Sequence, residues 1–85
     1  MKQFKHTICD PLGLHARPAG ILLKAASGYR SRITVDTAAG SADAKRLLPL
    51  LRLVAKQGTE LTVTVNGADE EMAAAELQAL MKETM

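Results

Sequence analysis

The sequence predicts an α+β fold: a two-layer open-faced sandwich, with a four-stranded antiparallel sheet carrying three helices on one face (βαββαβα). Three observations predict it. The strand-like segments alternate apolar and polar residues, so one sheet face is apolar and the other wetted, which favours antiparallel pairing. Segments with helical spacing separate most of these strands. Turn signals built on Asp-Pro, Gly and Asn-Gly fall at the joints.

Taken in order, residues 2–8 read as a strand with Phe4, His6 and Ile8 on one face, and His6 is read as a strand residue rather than a ligand. Asp10-Pro11-Leu12-Gly13 breaks that strand. A helix is predicted from Ala16 to about Ser27, since Ala19, Leu22, Leu23 and Ala26 recur at helical spacing and Gly28 stands where a C-cap is wanted. From Arg32 to Thr37, Ile33 and Val35 point inward from a half-buried strand. Ala38 to Ser41 then reads as a hairpin turn into a short strand over 41–44.

The run from Leu47 to Val54 is apolar nearly all round, and its leucine content favours a helix. Pro49 sets the start: with Arg46 as N-cap, the proline is the third helical residue and its missing N–H costs no bond. Placed deeper inside, it would cost about 3 kcal/mol. Gln57-Gly58-Thr59 ends the segment. Glu60 to Asn66 is the clearest strand, with Leu61, Val63 and Val65 on one face. Asn66-Gly67 turns the chain, and Asp69 is expected to cap a last helix that opens on Glu70 and Glu71. Ala73, Leu77, Leu80 and Met81 form its apolar stripe.

The 85 residues suffice for one domain, residues 1–85, and 47% are hydrophobic, which predicts a folded core. No apolar run approaches the ~18 residues of a membrane span, and the N-terminus lacks a signal-peptide pattern, so no membrane insertion is expected. Cys9 is alone, which excludes an internal disulfide and is compatible with the cytoplasm. A net charge of +2 without basic blocks, and Phe4 and Tyr29 as the only aromatic residues, argue against nucleic acid as a partner. With two histidines and no ligand spacing, no metal site is predicted.

One stretch stands apart. In Gly13-Leu14-His15-Ala16-Arg17-Pro18-Ala19 an imidazole sits where a loop becomes a helix, and a guanidinium follows two residues later. Pro18 suits a first helical turn, where an N–H has no intrahelical partner to lose. The amides that remain, those of Ala16 and Arg17, point outward together, and the helix dipole adds positive charge. Arg17 offers a planar fork of donors as well. A lone histidine in a small protein is ordinarily structural, but here every neighbour favours an anion. With an ordinary pKa of about 6.5, a neutral imidazole is available as a nucleophile. The chemistry suggested is phosphate on, or beside, His15.

These residues resemble the HPr family, the histidine-containing phosphocarriers of the bacterial phosphoenolpyruvate:sugar phosphotransferase system. The resemblance spans the chain. It takes in Pro11 through Ala19, Ala44-Lys45, Lys56-Gln57-Gly58 and Gly67-Ala68-Asp69-Glu70. It implies a cytoplasmic carrier, a monomer without cofactor or metal and not an enzyme in its own right. Such a carrier takes a phosphoryl group from phosphorylated enzyme I and passes it to a sugar-specific enzyme IIA. By matching position, His15 is the acceptor through Nδ1, Arg17 neutralises the phosphate, and the amides around Ala16 and Arg17 assist. Leu47, Leu48 and Leu51 match an apolar docking patch. A helix apolar all round cannot bury every leucine in so small a domain, which points the same way.

Two departures stand out. Many relatives carry a regulatory serine at the start of the second helix, where this chain has Arg46, so serine-kinase control is not expected. Pro49, at a position where relatives commonly have a non-proline residue, bears on partner choice. Two other readings remain: a paralogue in a nitrogen-type regulatory or single-sugar phosphorelay, and a non-catalytic interaction module in which His15 is never phosphorylated.

Overall fold

Seven elements follow one another: β1 (Lys2–Thr7), α1 (Ala16–Ala26), β2 (Arg32–Thr37), β3 (Gly40–Asp43), α2 (Leu47–Arg52), β4 (Glu60–Asn66) and α3 (Glu70–Thr84). The computed structural model describes residues 1–85. The strands form one sheet in the order β1-β4-β2-β3, and every pairing is antiparallel. The predicted βαββαβα sandwich is the fold.

Register explains the core. Val63 stands opposite Phe4 on one side and Val35 on the other, and Val35 in turn faces Ala42. A single apolar row therefore crosses all four strands. Leu61, Val63 and Val65 are each 0% exposed, as are Ile33 and Val35, and burial of such side chains is worth about 1.5–3 kcal/mol apiece. Helices supply the second layer: Ala19, Leu22 and Ala26 from α1, Leu50 from α2, and Ala73, Leu77 and Met81 from α3. These side chains belong to one cluster of 19 buried residues. The opposite sheet face carries Thr34, Thr62 and Thr64, all half-buried. No helix is long and apolar enough to cross a membrane.

Three local expectations are corrected. Gly28 is not a left-handed cap. Ser27 ends α1 in right-handed geometry, and the N–H groups of Gly28 and Tyr29 tighten onto the carbonyls of Ala25 and Ala26 at 3.1 and 3.2 Å. Asp69 stands at the N-cap position of α3, yet its side chain caps nothing there. It instead accepts from the backbone N–H groups of Arg30 (2.8 Å) and Ser31 (2.9 Å) and from the Ser31 hydroxyl. A long-range clamp thus replaces the local cap, and it joins the start of β2 to the start of α3.

The third correction concerns α2. It begins after Arg46 as Pro49 requires, but it stops at Arg52, well before Gln57. The apolar run continues because the loop is buried too: Leu53 and Ala55 are 7% and 5% exposed. Between them Val54 takes a φ of 50°, in the left-handed region that a β-branched residue seldom occupies. That reversal carries the chain from the helix into the loop beneath His15.

Candidate functional site

The loop between β1 and α1 is held at both ends. Ile8 pairs with the turn before β4: its N–H donates to the Thr59 carbonyl (3.0 Å) and its own carbonyl accepts from Gly58 (2.8 Å). Asp10 then organises a turn in which its carbonyl accepts from the Gly13 N–H (2.9 Å) and its Oδ1 accepts from the Leu12 N–H (2.8 Å). Gly13 has a φ of 70° and lies flat against the loop that follows α2. A Cβ there would overlap the Ala55 carbonyl and sit 2.8 Å from the Cα of Lys56. The same Ala55 carbonyl accepts from the Leu14 N–H at 2.7 Å. Glycine is required at this close approach, and it fixes the residue just ahead of His15.

His15 is the N-cap of α1. Its backbone is extended (φ −112°, ψ −175°) and its carbonyl accepts from the Ala19 N–H at 3.0 Å, while no side chain caps the helix. With Pro18 third in the helix, the N–H groups of Ala16 and Arg17 are left directed out of the helix end. Arg17 is exposed and forms no ion pair. His15, Arg17, Asp10, Leu12 and Ile21, together with Glu83 and Thr84 from the end of α3, line an open cleft of about 400 Å³. The Arg17 side of the helix end and the imidazole therefore share one surface.

The imidazole itself is one-third exposed, and its Nε2 lies 3.6 Å from the Asp10 Oδ2. Its Nδ1 has no hydrogen bond within the chain. Nor is it a buried atom, since the Nε2 of His6 is the one buried side-chain nitrogen or oxygen without a partner. His6 is half-buried on β1, in keeping with its reading as a strand residue.

The three leucines named as docking residues divide. Leu47 and Leu48 are 39% and 61% exposed, whereas Leu51 is half-buried and packs on the core. Arg46, Leu47, Leu48 and Pro49 border a shallow recess at the start of α2, and α1 and α2 pack side by side. Arg46 is exposed and its side chain does not cap α2.

Sequence reasoning missed Asp10, and it missed the apolar rim of Leu12 and Ile21, which are 75% and 37% exposed. In the sequence, Asp10-Pro11-Leu12-Gly13 reads only as a break between elements. An Asx turn is the signal it holds, and such a turn aims the second carboxylate oxygen back along the loop.

The family profile described as the PTS HPr component phosphorylation site matches residues 2–83. Among proteins, the phosphocarrier protein HPr of Lysinibacillus sphaericus is 41% identical over 83 residues, covering 98% of this chain and 94% of the relative. Among solved structures, the histidine-containing phosphocarrier protein of a mycoplasma is similar with a TM-score of 0.94 and 34% identity, over 98% of this chain and 94% of that one. An HPr dimer from Thermoanaerobacter tengcongensis is similar with a TM-score of 0.77 and 32% identity, over 98% and 95%. The chain belongs to the HPr family, the phosphocarriers of the phosphotransferase system, which carry a phosphoryl group rather than act as stand-alone enzymes.

Proposed function

We propose that residues 1–85 act as one phosphocarrier domain in which His15 takes a phosphoryl group on Nδ1 from phosphorylated enzyme I and gives it to a sugar-specific enzyme IIA. The observation that carries this reading is His15 as N-cap of α1, beside an open cleft, with Nδ1 unpartnered. A relay must hold phosphate well and still expose it to in-line attack. The Ala16 and Arg17 amides and the helix dipole serve the holding, the Arg17 guanidinium neutralises charge, and the openness of the cleft serves the exchange. No metal or cofactor takes part in this reading.

Docking uses the apolar surface next to the cleft. Leu47 and Leu48 provide it, with Leu51 supporting them from below, and an interface of modest size suits a transient transfer. We read the chain as a cytoplasmic monomer; a dimer of the kind solved for the Thermoanaerobacter relative, seen by light scattering at working concentration, would contradict that. Arg46 removes the hydroxyl that a serine kinase would use and puts positive charge at a helix N-terminus, where the dipole disfavours it. Treatment with HPr kinase and ATP is expected to leave no phosphoserine.

The reading is tested by incubation with phosphoenolpyruvate and enzyme I. An acid-labile, base-stable phosphate is expected on the wild type and none on His15→Ala. Equal labelling of the two, or no labelling of either, would overturn it.

A further inference from the structure

We propose that Asp10 is the positioning residue for His15: its carboxylate holds the proton of the neutral imidazole on Nε2 and thereby leaves Nδ1 as the lone pair that accepts phosphate. The proposal rests on the reading of His15 as the phosphoryl acceptor.

The geometry carries it. One oxygen of Asp10 is committed, since Oδ1 accepts from the Leu12 N–H at 2.8 Å. The carbonyl of the same residue accepts from Gly13 at 2.9 Å, so the turn that bears the carboxylate is braced twice. The second oxygen, Oδ2, then faces the His15 Nε2 at 3.6 Å, with both side chains about two-thirds or more buried. An acceptor with no proton to give favours the tautomer that carries its proton toward it. Arg17 and Glu83 are the other charged groups lining the cleft, and the Glu83 carboxylate forms no ion pair with the imidazole. Among the carboxylates of the chain, that of Asp10 alone pairs with the imidazole.

The transfer step shows what this selection does. The Nδ1 lone pair forms the new N–P bond while the bond from phosphorus to the donor protein's carrying atom breaks, its electron pair remaining on that atom. No proton leaves His15. The ring nitrogen opposite the phosphate keeps its hydrogen, and the positive charge that the ring acquires is met by the Asp10 carboxylate. With the other tautomer, Nδ1 would carry a proton and have no lone pair to offer, so a proton would have to move first. This is the logic of a nucleophile set by a third group.

Asn at position 10 supplies a sharp test. Because Oδ1 is held by Leu12, the amide nitrogen of Asp10→Asn replaces Oδ2 and presents a donor to Nε2. The tautomer preference is therefore expected to invert, not merely to relax. We would record the ring nitrogen resonances of His15 in ¹⁵N-labelled free protein at about pH 8.5, above the ordinary histidine pKa of about 6.5. Wild type, Asp10→Asn and Asp10→Ala would be compared with a blocked histidine peptide. The wild type is expected to exceed the peptide in its Nε2–H fraction, Asp10→Ala to match the peptide, and Asp10→Asn to favour Nδ1–H. In parallel, phosphorylation by phosphoenolpyruvate and enzyme I is expected to show a kcat lower by about tenfold for Asp10→Asn, with KM within about twofold.

An identical tautomer ratio in all three proteins overturns the proposal, and so does an unchanged kcat in Asp10→Asn. If the wild type takes no phosphate, the phosphocarrier reading fails by itself. The tautomer, measured without any partner, still decides whether Asp10 sets the ring.

Discussion

Gly13 and Val54 both take positive φ beside the backbone contact that sets His15, and only Gly13 is the residue type that such a φ favours. Left-handed geometry costs a residue with a Cβ about 1–2 kcal/mol, part of which glycine would return as chain entropy. Val54→Gly is therefore expected to stabilise the protein by about 1 kcal/mol, or roughly 4–8 °C in melting temperature for a domain of this size. Gly13→Ala acts in the opposite sense, lowering the melting temperature and slowing phosphorylation though it touches no reacting atom. Thermal unfolding checks both. Arg17, exposed and unpaired, answers differently: Arg17→Ala is expected to change stability by less than about 0.5 kcal/mol. Transfer would slow by about 10- to 100-fold, the equivalent of one charged contact of about 1.5–3 kcal/mol. Unchanged transfer kinetics would remove Arg17 from the mechanism. At this scale the placement of His15, Arg17 and Pro18 at the start of α1 was legible because it depends on neighbours one to three residues away. Asp10 was not, since its approach to His15 depends on a turn closed through Leu12.

At the scale of elements, α3 is tied to the rest of the molecule by groups distant in sequence. Tyr29 donates to Glu76 at 2.7 Å, and burial first, then that carboxylate, pushes its phenol up to about 12. Asp69 draws together Arg30 and Ser31; the Ser31 hydroxyl first, and the Arg30 amide second, hold its carboxyl below the ordinary value of 3.8. A depressed carboxyl contributes stability that is fully present above its unfolded value and is lost as pH falls through the folded one. The difference in urea midpoint between wild type and Asp69→Asn is therefore expected to be constant from about pH 5 to 7 and to close below 3.8. A gap that persisted into stronger acid would show that the clamp is not electrostatic. Strand β4 was readable to the residue because its alternation is local and one face of it is buried. The length of α2 was not, because Leu53 and Ala55 are apolar for the sake of a buried loop rather than a helix. Asp69 likewise held a cap signal that the fold spends on Ser31 instead.

Over the whole molecule, the sheet and its helical layer bring three segments to one cleft: the loop from Asp10 to Leu12, the first turns of α1 and the end of α3. The order of elements and the alternation of the strands made that architecture predictable, whereas the contribution of Glu83 and Thr84 to the cleft comes from a helix end remote in sequence. Leu48, 61% exposed, lies outside the core at the start of α2. Leu48→Glu is expected to leave the melting temperature within about 2 °C and to raise the KM for the carrier in phosphorylation by enzyme I by about tenfold or more. An unaltered KM would move the docking site elsewhere. The central claim, that phosphate is carried on one nitrogen of one histidine, is tested most directly by ³¹P and ¹⁵N NMR of the protein after treatment with phosphoenolpyruvate and enzyme I. A single phosphoramidate signal coupled to Nδ1 of His15 is the predicted result; phosphate on Nε2, on His6, or on no histidine would contradict it.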